Sequence, residues 1–292
     1  MAIALLLGNG VNRLNNDGAS WEHLLKALAT NGRGEHELEY VKQKPFALLY
    51  EEIFLKASPS ESAKDEMVLK RRIADLISNL HQSEFHRRFM QADVRHILTT
   101  NYDYNLELAS GLGHRRANLA AETKYSVFRR RAVGDKYVWH IHGEKGAPST
   151  ITLGYDHYCG YLQKLRAYAT AERNLDNGSP FKLQDLSFDE QEGRRYSWLD
   201  IFFRDDVHII GLTLDFTEID LWWALTYKAR LRARGLKVGS TCFHDWHAGE
   251  ADEDLRAKHS LLASLGVRVE LVRVSTGYET AYDGFLHDIL GV

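Results

Sequence analysis

Six short apolar runs limit what this chain can become. Ile3–Leu7, Val94–Leu98, Tyr137–Ile141, Val207–Ile210, Val238–Phe243 and Val267–Val274 have the length and the aliphatic and aromatic content of strands. Consecutive runs lie more than 20 residues apart, too far for tight hairpins and enough for helical crossovers. The first and fourth are almost unbroken apolar stretches, as expected of strands covered on both faces. Between them run helical stripes: Trp21, Leu24, Leu25 and Leu28 behind Ser20; Phe46, Leu49, Tyr50 and Ile53 behind Pro45; Ile73, Leu76, Ile77 and Leu80 behind a capping box at Ser62–Asp65. Thr217 and Asp220 repeat the capping-box spacing ahead of Trp222 and Trp223. Two more helices are expected, one through Leu255 and Leu262 and one through Tyr282, Phe285 and Ile289. The alternation predicts an α/β fold, a Rossmann-like, largely parallel sheet with helices on both faces. Stretches 15–93 and 160–206 exceed what crossovers need, and read as helical insertions within one domain over 1–292. Asn174-Leu175-Asp176-Asn177-Gly178-Ser179-Pro180 is the expected mobile loop.

The charge sum, 37 basic against 40 acidic residues, excludes a general binder of nucleic acid or of a membrane surface. No apolar run approaches the ~20 residues of a membrane span. The N-terminus lacks the basic segment of a secretion signal, so a cytoplasmic location is expected. Two cysteines, Cys159 and Cys242, are too few for a four-cysteine zinc site. The arginine clusters at 129–131 and at 230, 232 and 234 lack interleaved aromatics and read as solvated faces or partner contacts.

The residues just past four of the strands carry chemistry. They are Gly8-Asn9-Gly10-Val11-Asn12, Thr99-Thr100-Asn101-Tyr102-Asp103, His140-Ile141-His142-Gly143-Glu144 and Gly211-Leu212-Thr213-Leu214-Asp215. In a parallel sheet these ends share one edge, where α/β proteins place their ligand crevice. Each alone has an ordinary reading as turn, helix cap or filler; their coincidence points to a site. His140, His142 and Glu144 also alternate as metal ligands would, which leaves a metal-dependent hydrolase as an alternative.

In this order the segments resemble the sirtuin-like superfamily, and within it the short bacterial branch associated with phage defence. Gly8-Asn9-Gly10 matches its glycine turn, Thr99–Asp103 its Thr-Gln-Asn-x-Asp element, His142-Gly143 its His-Gly element and Gly211–Leu214, loosely, its Gly-Thr-Ser-Leu. Leu153–Tyr158 also resembles the defence branch. The zinc ribbon is absent, Asn12 replaces the serine of the first turn, and Thr100 replaces glutamine. The resemblance implies an NAD hydrolase that cleaves the nicotinamide N-glycosidic bond to give ADP-ribose and nicotinamide, with NAD as substrate and no metal. Asn101 and His142 are the implied catalytic residues. Gly8, Asn9, Gly10, Asn12, Asp103, Gly211 and Thr213 are the implied NAD contacts, with His244 and Asp245 further possibilities at the adenosine end. It also implies an effector that depletes NAD in anti-phage defence, a homo-oligomer, and restraint by a separate partner such as an ATPase. A non-catalytic module that senses NAD or ADP-ribose is the alternative from a different class.

Overall fold

The computed structural model describes residues 2–14, 20–30, 38–56, 62–118, 123–170, 173–174, 180–181, 196–247, 249–250, 252–274 and 277–292. Its strands are β1 (Ile3–Leu7), β2 (His96–Thr99), β3 (His114–Arg116), β4 (Arg131–Val133), β5 (Lys136–His140), β6 (Arg173–Asn174), β7 (Pro180–Phe181), β8 (Asp206–Ile210), β9 (Thr241–His247) and β10 (Arg268–Arg273). Eight form one sheet in the order β10-β9-β8-β1-β2-β5-β4-β3, while β6 and β7 pair separately. The run from β10 to β5 is parallel throughout. The expected α/β fold with a largely parallel sheet is therefore present.

The helices are α1 (Gly10–Arg13), α2 (Trp21–Thr30), α3 (Phe46–Lys56), α4 (Ser62–Ser78), α5 (Glu84–Gln91), α6 (Asn105–Ala109), α7 (Tyr155–Thr170), α8 (Trp198–Arg204), α9 (Ile219–Ala233), α10 (Glu253–Ser264) and α11 (Tyr278–Leu290). Strand side chains alternate between two cores because successive residues point to opposite faces. Ala4, Leu6, Leu98, Trp139, Ile209 and Phe243 pack with Leu165 of α7, Phe202 of α8 and Leu225 of α9. Leu5, Leu7, Ile97, Val138 and Ile210 pack on the other face with Phe89 of α5 and Phe285 of α11. A third core joins α2, α3 and α4 to Tyr102, Ile151 and Leu153. None of the described helices is long and apolar enough to cross a membrane.

Two expectations need adjusting, and others fall outside the described residues. The edge hairpin β3–β4–β5 is antiparallel and was not visible as apolar runs, since β3 and β4 carry His114, Arg115, Arg116 and Arg131. The arginines at 129–131 are not a solvated face: all three are buried. Arg131 Nε donates to Glu144 Oε2 at 2.8 Å, and the Arg130 guanidinium lies 4.1 Å from the centroid of the Tyr137 ring. Pairing with a carboxylate and stacking on aromatics is what lets a guanidinium leave water. Finally, residues 175–179 of the expected loop lie outside the described residues, as do the side chains of the Ser62–Asp65 box.

Candidate active site

Register brings the four chemistry-bearing strand ends into line. Leu7 pairs with Ile210 on one side and Thr99 on the other, and Thr99 pairs with His140. Gly8, Thr100, Ile141 and Gly211 are thus the next residues at one edge. The chain builds outward from β1 through β2 and β5, then returns to build outward through β8, β9 and β10. The gap between β1 and β8 is therefore the topological switch point, where open α/β sheets form their crevice.

Glycine is required at that gap. Gly8 N donates to Ile210 O and Gly10 N to Gly211 O, both at 2.9 Å. A Cβ on Gly8 would lie 2.4 Å from Gly211 O, and one on Gly10 would lie 2.7 Å from Gly211 Cα. Gly211 itself has φ +67, left-handed backbone that favours glycine. These residues let two strand-end loops touch, and they leave a crevice floor without side chains. Their amides at Gly8 and Gly10 are spent on this contact.

Asn12 is turned inward. Its Nδ2 donates to Asp103 Oδ2 at 2.8 Å and to Asn9 Oδ1 at 3.1 Å, while Asn105 Nδ2 and the His86 ring meet its Oδ1. Asp103 Oδ1 accepts from Asn105 N at 2.9 Å. Asn12 and Asp103 thus clamp the first loop to the second. Burial drives His86 down to about 4, so its ring is neutral at ordinary pH.

Asn101 Nδ2 donates to Gly8 O at 3.1 Å, which ties the second strand end to the first. Its Oδ1 is buried and has no partner among the described residues. An unpaired buried carbonyl costs about 1–3 kcal/mol, so this oxygen calls for a donor from a ligand or water. His140, by contrast, is fully committed: Nδ1 to Asn101 O at 2.9 Å and Nε2 to Glu107 Oε1 at 2.7 Å. Burial favours its neutral ring, but the Glu107 charge and hydrogen bond outweigh that and raise its pKa.

His142 is only 2 % exposed and faces a second carboxylate. Its Nε2 lies 2.8 Å from Oδ2 of Asp220, which is wholly buried. The sequence places Asp220 in a capping box with Thr217; instead Glu218 is the cap residue of α9 and Asp220 points inward to the histidine. Burial again opposes charge on the ring, and Asp220 overcomes it, raising the His142 pKa. Glu218 completes the cluster: burial, reinforced by Asp220, pushes its carboxyl up to about 7 against the pull of His142. The rings of Tyr158 and Tyr161 stand edge-on to His142 at 5.3 and 6.2 Å.

Residues 95–181 match the family model of the SIR2-like domain. No curated protein matches the chain. The SIR2-like match points to the sirtuin superfamily and to NAD-related chemistry. Asn101, Asp103, His140, His142 and Glu144 lie within the SIR2-like segment. Gly8, Gly10, Asn12, Gly211, Thr213 and Asp220 lie outside it; Gly8, Asn12 and Asp220 are hydrogen-bonded to Asn101, Asp103 and His142 within it, while Gly10 and Gly211 meet each other beside Gly8.

A cleft of about 530 Å³ opens at the Gly10–Gly211 contact, lined by Gly10, Arg13, Gly211, Thr213, His244, Asp245, Trp246 and Lys258 among others. That is within the usual ~300–1,000 Å³ of small-molecule sites. A smaller pocket continues from Gly10, Arg13, Gly211 and Thr213 to Asn9, Thr100 and Glu218, and another reaches Asn101 and Asp103 beside Trp21. Arg13 and Lys258 are cations at this crevice that the sequence did not single out. Arg13 is three residues past Gly10, and that spacing was the available signal. His140, His142 and Glu144 do not converge as metal ligands, because they are bound separately to Glu107, Asp220 and Arg131.

Proposed function

We propose that this protein hydrolyses NAD at the nicotinamide N-glycosidic bond, giving ADP-ribose and nicotinamide. The observation that carries the reading is the pair of prepared groups at adjoining strand ends, Asn101 with an unpartnered buried Oδ1 and His142 held by Asp220. The scissile bond joins ribose C1′ to a cationic pyridinium nitrogen, so nicotinamide leaves neutral and needs no general acid. Positive charge then develops on the ribose, and the carboxylate of Asp103 and the Asn101 carbonyl favour it there. Water attacks C1′ and must lose a proton. With Nε2–H directed at Asp220, the neutral tautomer of His142 presents Nδ1 as the acceptor, and the resulting imidazolium is stabilised by Asp220. The pyrophosphate would cross the bare floor of Gly8, Gly10 and Gly211, with Arg13 and Lys258 supplying countercharge, and adenosine would occupy the 530 Å³ cleft.

The nearly closed surroundings of His142 fit an enzyme held in check until a partner or self-assembly opens it. The proposal extends to a homo-oligomeric, cytoplasmic defence effector under a separate regulator such as an ATPase. The same closure is the one feature that favours the binding-only alternative. Incubating the purified protein with NAD and resolving the products distinguishes them. The hydrolase yields equimolar ADP-ribose and nicotinamide, whereas tight NAD binding with intact NAD recovered, with and without candidate partners, supports the sensor.

A further inference from the structure

Away from the His142 cluster, on the sheet face covered by α11, two histidines and a cysteine come together. His208 of β8 and Cys242 of β9 are direct register partners, and His244 lies two residues beyond Cys242 on the same face. His208 Nδ1 is 2.9 Å from His244 Nε2, and the three ligand atoms all lie within 4.8 Å of one another. All three side chains are buried. Donors around tetrahedral zinc sit roughly 3.3–3.7 Å apart, given metal–nitrogen and metal–sulfur bonds of about 2.0 and 2.3 Å. The two ring nitrogens would move apart by a few tenths of an ångström to reach that spacing, on a platform of two paired strands.

We infer that His208, Cys242 and His244 form a metal site for zinc, with three protein ligands and an open fourth position. One thiolate and two imidazoles make a borderline-soft donor set suited to zinc. Binding therefore replaces the thiol S–H bond with a metal–sulfur bond and releases one proton to solvent. Entry is through the 530 Å³ cleft, whose wall includes His244. The Phe285 ring, 4.7 Å from that of His244, closes the opposite side. A metal here would staple β8 to β9 beneath the cleft, and its open position would face whatever the cleft binds.

The test uses the full chain, stripped of metal and titrated with Zn²⁺ and with Co²⁺ as a spectroscopic probe. One equivalent is expected to bind, and the cobalt form should show a thiolate-to-metal charge-transfer band. Cys242→Ser should remove that band, and His208→Gln should weaken zinc affinity at least roughly 10–100-fold, the scale that even outer-shell changes reach. The wild-type spectrum tests the assignment without any variant: no stoichiometric binding, or binding without the thiolate band, overturns it. Zinc binding unchanged in both variants would place the ion elsewhere and overturn it equally.

Discussion

Asp220→Asn isolates what the buried carboxylate does for His142. The substitution keeps the shape of the side chain and removes its charge from 2.8 Å beside Nε2. Burial, with Arg129, then opposes charge on the ring against Glu218 alone, so the His142 pKa falls from its raised position, and the Glu218 carboxyl loses one of the charges that push it up. A hydrogen bond to a charged partner contributes about 1.5–3 kcal/mol, or roughly a 10- to 160-fold factor when it is expressed in the transition state. Turnover should therefore fall between about one and two decades. The limb of the pH–rate profile set by neutral His142 should move toward lower pH, because less alkaline conditions now suffice to deprotonate it. Steady-state nicotinamide release across pH gives both quantities, and ring-proton NMR gives the His142 titration directly. A folded Asp220→Asn protein with wild-type turnover and an unmoved His142 titration would refute the dyad.

Three further outcomes follow from the same geometry. Gly8→Ala pushes a methyl group to 2.4 Å from Gly211 O, and overpacking of this kind costs about 1–3 kcal/mol, so its thermal midpoint should drop by several degrees. Asn12→Ala strands buried donors and acceptors on Asp103, Asn105 and His86, and urea unfolding should show a loss of about 2–4 kcal/mol with the slope unchanged. Glu66, drawn down to about 2 by its hydrogen bond from His157, contributes stability that is complete above its ordinary carboxylate range, about 4.5, and lost as pH falls through about 2; Glu66→Gln should flatten acid unfolding in that window.

The sequence made the sheet legible because parallel strands buried on both faces must be apolar almost throughout, as Ile3–Leu7 and Val207–Ile210 are. It made the strand ends legible because glycine, amide and imidazole residues recur where those runs stop. The antiparallel edge was hidden for the converse reason: β3 carries exposed arginines, and Arg131 of β4 is buried through its contacts with Glu144 and the Tyr104 ring, partners a hydrophobicity pattern does not show. Asp220 was misread because a local capping pattern and a long-range hydrogen bond to His142, 78 residues distant, use the same side chain. Asn12 shows a related limit. Its place in the first turn suggests a ligand contact, but only the folded chain shows its amide taken up by Asp103, Asn9, His86 and Asn105.

The most direct measurement is nicotinamide release from NAD by the wild-type protein beside Asn101→Ala and His142→Ala, with candidate regulatory partners present. The account predicts stoichiometric nicotinamide and ADP-ribose from wild type, and a loss of about 10²–10⁴ in turnover for His142→Ala, the scale of a missing general base. Asn101→Ala should likewise be strongly impaired, having lost a buried side-chain oxygen that no described residue satisfies. Full-rate turnover by a folded His142→Ala protein would contradict it.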